Sequence, residues 1–278
     1  MPWLEAAGHE VVRLIRGSAS AGPNEATWNP ATGTIEGAVI DGSDVVINLN
    51  GRSIAEGRWN PKVKESLRAS RLGATRTLAD AIRTSVNPPA LRINASAVGY
   101  YGDRGEEVLA EDAPMGSGFH AGLSRDWEGA ALQASSERTR VAVLRLGMVV
   151  ARGGALERML TPFKLGLGGP IGSGRQYWPW IGIEDVCGII EFTLEREEIS
   201  GPVNAVAPEE LRCLEFARIL GRSLSRPAFL PVPAFAARMA LGEMADSLLL
   251  ASQRVRPQAL LDAGYEFRAP TLDNALRF

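Results

Sequence analysis

A doubly wound α/β fold on a parallel sheet is the class this sequence predicts, and three observations carry it. Residues 44–49, Asp-Val-Val-Ile-Asn-Leu, form a near-continuous apolar run, as in a strand covered on both faces. Strand-like runs alternate with helical patterns over 62–85 and 121–135, joined by short connections, which is the β-α-β order of a parallel sheet. Residues 165–185, with five glycines between 166 and 174, then place Arg175, Gln176 and large rings between a strand at 141–150 and a helix at 184–195. That order puts the loop at the carboxyl edge of the sheet, where bare backbone and a few polar groups can wall a ligand pocket.

Taken in order, residues 2–9 read as the last turns of a helix, with Gly8 as the residue that closes it. Residues 11–16, Val-Val-Arg-Leu-Ile-Arg, are a short strand. Residues 26–35 carry turn signals at Asn29-Pro30 and Thr32-Gly33 between short extended pieces. The helix over 62–85 has Leu67, Leu72, Leu78, Ala79 and Ile82 on one face and is broken by Asn87-Pro88-Pro89. Residues 90–96 form the next strand and end in small residues. Beyond the helix at 184–195 come a strand at 201–207 and a helix at 214–224. Residues 226–233 are extended and proline-punctuated, which suits an edge, and helices are expected at 234–241, 244–252 and 257–263. The expected division is a dinucleotide-binding part over 1–155 and a smaller substrate-side lobe over 156–278, interleaved with it and ending in a helical segment at 226–278.

Composition bounds the function. With 278 residues, 45% hydrophobic, 22% charged and a net charge of −2, the chain has the profile of a globular enzyme and no electrostatic footprint for nucleic acid. Two histidines, His9 and His120, exclude a His-rich metal site, and Cys187 and Cys213 lack metal-ligand spacing. No apolar run reaches a membrane span and no signal peptide is recognised, so a cytoplasmic protein is expected.

The chain resembles the extended short-chain dehydrogenase/reductase superfamily, in the branch labelled epimerase family protein. The residues that carry this are 8–16, Val46-Ile-Asn-Leu49, Arg58-Trp59, Ser70-Arg71 and Ala95-Ser-Ala-Val-Gly-Tyr-Tyr-Gly102. Further on they are Trp127-Glu128, Leu144-Arg-Leu-Gly147, 165–185, 202–208, Leu241-Gly-Glu-Met-Ala-Asp246 and Ser252-Gln-Arg-Val255. The resemblance implies a Rossmann-like sheet and NADP in preference to NAD, bound by Arg16, Leu49, Asn50, Arg71 and Gly147. An arginine ending the second strand suits a ribose 2′-phosphate. It also implies catalytic roles for Ser96 with Tyr100 or Tyr101, while Arg175, Gln176 and Trp178 face a substrate.

Four departures mark this chain within the family. The opening strand and its glycine-rich turn are missing, and no Gly-x-Gly-x-x-Gly occurs elsewhere, which counts against cofactor binding. Met1 is therefore expected not to be the natural start, and the strands at 11–16 and 44–49 are expected to lack their shared neighbour. No Tyr-x-x-x-Lys pair is present; Leu123 and Trp127 stand where the family helix carries it. Asn50 replaces a small residue and Gly182 replaces a histidine of the branch. Two functions follow: an NADP(H)-dependent oxidoreductase or epimerase on an unspecified small molecule, or a non-catalytic cofactor-sensing or regulatory protein such as the cell-division-inhibitor label of some relatives suggests. A homodimer is left open.

Overall fold

The computed structural model describes residues 2–17, 22–36 and 38–277, without the side chains of Ala155 and Arg158; the expectation about Met1 lies outside the described residues. A short helix α1 (Pro2–Ala6) leads into β1 (Arg13–Arg16), β2 (Glu25–Asn29), β3 (Thr34–Ile35) and β4 (Val45–Asn48). Then come α2 (Pro61–Thr84), β5 (Leu91–Ala97), a 3-10 turn at Val98–Tyr101, β6 (Val108–Leu109), α3 (Phe119–Leu132), β7 (Arg140–Leu146) and β8 (Met148–Val150). The second half contains α4 (Gly154–Lys164), β9 (Trp180–Gly182), α5 (Ile183–Glu195), β10 (Gly201–Ala205), α6 (Cys213–Ser223), α7 (Ala234–Leu241) and α8 (Glu243–Ala245). It closes with β11 (Arg254–Val255), α9 (Gln258–Asp262) and α10 (Leu272–Ala275).

The main sheet is wholly parallel, in the order β10-β7-β5-β4, so all its carboxyl ends gather along one edge. α2 starts where Asn60 accepts a hydrogen bond from the Val63 N–H and Pro61 supplies a preset φ, and it buries Leu67, Leu72, Leu78, Ala79 and Ile82 as its spacing predicts. α2 and α3 cover one face of the sheet, and α5 covers the other through Val186, Ile189 and Ile190. The α/β class with a parallel sheet is thus present, and β10, from the second half of the sequence, belongs to the main sheet.

A separate sheet holds β1, β2 and β3, with β1 parallel to β2 and β3 antiparallel to it. No ladder joins β1 to β4, so each is an edge strand among the described residues. Trp28 of β2 and Val46 of β4 nonetheless pack in one cluster with α2, so a shared helix face spans both sheets. Continuous apolarity over 44–49 predicts full burial, yet Val45 and Ile47 are only half-buried, since β4 has one ladder partner. Edge strands open at lower free energy than central ones. Amides of β1 and β4 are expected to exchange with deuterium at least roughly tenfold faster than those of β5 and β7, read by mass spectrometry. Equal protection in all four would show that the division between the sheets is closed in solution.

Several elements differ from their sequence expectation. The strand expected at 141–150 breaks at Gly147, where a side chain would stand 2.9 Å from the Pro179 carbonyl oxygen; β8 turns away there to pair with β9. The helix α4 begins at Gly154 after Gly153 and contains Pro162, in a stretch where no element is expected from the sequence. Residues 226–233 form no strand, only a bridge between Val232 and Ile171. The helix expected at 244–252 is α8 followed by a π turn at Asp246–Leu250.

Candidate functional site

At the carboxyl edge, β4 ends in a buried asparagine. Asn48 donates from Nδ2 to Thr75 Oγ1 (3.0 Å) and Asn94 Oδ1 (2.8 Å), and its Oδ1 accepts from both the backbone and side-chain N–H groups of Asn50 at 3.2 Å. Asn50 is thereby folded back on its own strand, which fixes the loop it starts. Leu49, beside it, is exposed. Trp127 donates from Nε1 to the same Thr75 oxygen at 2.9 Å, so it is a core residue whose polar atom serves the network.

Arg71 lies under this loop. It is buried on α2, donates to the Leu67 carbonyl at 3.3 Å, and sits 5.0 Å from the Trp127 ring centroid. A side chain at Gly51 would stand 3.4 Å from its guanidinium carbon, so the backbone of 50–52 passes directly over it. No carboxylate pairs with Arg71 among the described residues, and burial pushes its guanidinium down to about 10. A buried cation without a counter-charge is costly on its own and suits an anion arriving from outside the chain. Arg92, buried on β5, also lacks a carboxylate, but it donates to the carbonyls of Thr75 and Ala131 and to Asn94, which anchors it in the core.

Next to it, β5 delivers Ser96 into a buried polar chain. Ser96 Oγ donates to Glu128 Oε1 at 2.7 Å, and Arg145 holds the same carboxylate with Nε and Nη2, both at 2.9 Å. Arg145 Nη1 reaches the Tyr101 hydroxyl at 2.8 Å, and that hydroxyl donates to Asn204 Oδ1 at 2.7 Å. Tyr101 is fully buried, and burial pushes its phenol up to about 12. Its hydroxyl is therefore committed to the fold. Tyr100 packs its ring 3.7 Å from the Arg145 guanidinium and keeps a hydroxyl without a hydrogen-bond partner among the described residues.

His120, which sequence reasoning passes over, stands in the first turn of α3, on one stripe with Ser124 and Glu128 at i, i+4 and i+8. Its ring lies against Gly99 of the 98–101 turn, where an added Cβ would fall 2.2 Å from Nδ1. Burial first and the Arg71 charge second push the imidazole down to about 4. Nothing in its sequence neighbourhood signals this, because its partners come from other elements.

The remaining expected residues are dispersed. Arg16 is exposed at the end of β1 with its guanidinium 6.0 Å from the Trp28 ring centroid. Gly147 is held by packing against residues 179–180 and donates to the Ala205 carbonyl at 3.1 Å. Gln176 is buried and donates to the carbonyls of Ile171 (2.9 Å) and Leu249 (2.8 Å); Trp178 donates to the same Leu249 carbonyl at 3.0 Å. Their donors tie the glycine-rich loop to the π turn. Arg175 keeps an exposed side chain while its carbonyl accepts from Arg212. No cluster of three metal-ligating side chains exists among the described residues. No helix among them is long and apolar enough to cross a membrane.

Comparison with known proteins fits this architecture. Residues 2–205 match the NAD dependent epimerase/dehydratase family, and residues 232–278 match a domain of unknown function, DUF1731. The chain is 42% identical over 279 residues to epimerase family protein SDR39U1 of Mus musculus, a match covering 99% of this chain and 92% of that protein. It is 41% identical over 276 residues to epimerase family protein MT2273 of Mycobacterium tuberculosis, covering 99% of this chain and 91% of that one. A crystal structure of human epimerase family protein SDR39U1 (isoform 2) with NADPH superposes at a TM-score of 0.89 with 38% identity, covering 99% of this chain and 92% of that chain.

Proposed function

The chain belongs to the NAD dependent epimerase/dehydratase family, and we propose that it is an NADP(H)-dependent oxidoreductase or epimerase acting on a small molecule at the carboxyl edge of its parallel sheet. The observation that carries the reading is Arg71, a buried guanidinium with no carboxylate partner among the described residues, beneath the loop that leaves β4. The NADPH-bound human relative supports it. When bound, the nicotinamide supplies or accepts a hydride. Arg71 then faces a phosphate, with Leu49, Asn50 and Gly147 lining the cofactor, so that residues 1–155 form the cofactor side and 156–278 the substrate side. Ser96 spends its proton on Glu128, so its remaining lone pairs accept a hydrogen bond from a substrate hydroxyl. Tyr100 supplies the free phenol beside it, and exposed Arg175 meets an anionic substrate. The reading places the protein in the cytoplasm, acting without nucleic acid or metal, with a homodimer left open.

A second reading draws on a specific observation. The Tyr-x-x-x-Lys pair is absent and the Tyr101 hydroxyl is committed to Asn204, which favours a cofactor-sensing or regulatory protein without turnover. Titration of the purified chain with NADPH, followed by a turnover screen with carbonyl and sugar-nucleotide compounds, separates the two. Saturable binding with turnover supports the enzyme; binding with none across the screen favours the sensor.

Cofactor preference has its own test at Arg16. A charge-assisted contact to the 2′-phosphate contributes about 1.5–3 kcal/mol. Arg16→Ala is expected to weaken NADPH roughly tenfold or more and to leave NADH nearly unchanged in fluorescence titrations. Equal weakening of both would remove Arg16 from the cofactor site.

A further inference from the structure

The family's proton-transfer pair is missing from α3, yet α3 carries a polar group that the fold leaves unused. His120 Nδ1 is buried without a hydrogen-bond partner, and no described residue bonds either ring nitrogen. An orphaned buried polar atom is costly to the fold, so a position that retains one calls for a reason. The ring is confined: Gly99 lies against one side, and the Trp59 ring centroid is 6.2 Å away at 77° on another. Among the described residues, Arg71 is the charged group that acts on it, and Nε2, unlike Nδ1, is unbonded without being fully enclosed, so the ring has its one opening at Nε2. Gly99 itself follows β5 within the turn between Ser96 and Tyr100, the two residues assigned to the substrate above.

We propose that His120 is a ligand-contacting residue of this site, its Nε2 hydrogen-bonding an alcohol or carbonyl oxygen of the molecule seated between Arg71 and the 98–101 turn. The inference rests on the proposed cofactor and substrate site. Burial, the Arg71 charge and the helix N-terminus all oppose a charged ring, so the imidazole is neutral at pH 7 and offers one donor and one acceptor. A neutral imidazole can donate to a carbonyl oxygen or accept from a hydroxyl. Gly99 is required for this placement, because any side chain there would displace the ring.

The test uses the full chain, which has only two histidines, His9 and His120. Diethyl pyrocarbonate acylates neutral imidazoles, and mass spectrometry reads each site separately. His120 is expected to react in the free chain and to be protected roughly tenfold or more by NADPH far above its Kd, while exposed His9 is unprotected. Gly99→Ala, in which the ring must move, is expected to weaken NADPH several-fold and, with NADPH at saturation, to lose most of the protection at His120. NADPH binding without protection of His120, or no reaction at His120 while His9 reacts, would overturn the inference and leave the cofactor reading intact. No NADPH binding in the parallel fluorescence titration would overturn the cofactor reading, and the inference with it.

Discussion

In Arg71→Met, NADPH affinity is expected to fall roughly ten- to hundredfold while the ligand-free protein keeps its stability. Both halves follow from one environment. Arg71 is buried, has no carboxylate partner, and makes one long hydrogen bond to a backbone carbonyl. Removing the guanidinium forfeits its contact with the Trp127 ring, about 0.5–2 kcal/mol, and relieves a desolvation cost of comparable or larger size. Methionine fills much of the same space, so the net change in unfolding free energy should stay within about 1 kcal/mol. Binding has no such compensation, because a phosphate loses its charged partner. Urea unfolding and fluorescence titration read the two quantities separately. A large loss of stability with affinity unchanged would make Arg71 a structural residue.

The second large effect runs the other way. Arg145 and Glu128 are both nearly inaccessible, at 4% and 9% side-chain exposure, and they form a two-pronged ion pair. Arg145→Met leaves Glu128 as a buried carboxylate with only the Ser96 hydroxyl to satisfy it. Breaking a buried pair on one side costs about 3–5 kcal/mol, a large share of the roughly 5–15 kcal/mol that holds a domain. Replacing both, as Arg145→Met with Glu128→Met, is expected to recover most of that loss, since an apolar pair of similar volume carries no desolvation cost. A loss below about 1 kcal/mol for Arg145→Met in urea unfolding would show that the network contributes little. Ser96 depends on this pair for the direction of its proton, so the double variant should remain folded while losing any turnover.

The strands and helices of the first half were legible because their signals are local. The apolar run at 44–49, the periodicity of 62–85 and the small residues ending 90–96 each declare an element within a few residues, and β4, α2 and β5 lie there. α4 was not legible, since Gly153-Gly154 and Pro162 argue against a helix that tertiary packing of Leu156 and Phe163 nonetheless holds. The break at Gly147 depends on the approach of residues 179–180, which no local pattern announces. At the site, the resemblance pointed to Arg71 and Ser96. It could not show that Arg71 lacks a counter-charge, or that Ser96 is bound to a glutamate 32 residues away. Gln176 and Trp178 look free in sequence, yet both donate to Leu249, over 70 residues further on. His120 carries no spacing signal at all; its meaning lies in Gly99 and Arg71, which come from two other elements.

The central claim is that this chain, with β1 and β4 as open edges, still holds a phosphate-bearing dinucleotide against Arg71. Fluorescence titration of the purified 278-residue protein with NADPH and with NADH tests it most directly. Saturable binding is expected, tighter for NADPH, and lost to the same degree in Arg71→Met as predicted above. Absence of binding by a chain that unfolds cooperatively, and is therefore folded, would contradict the claim.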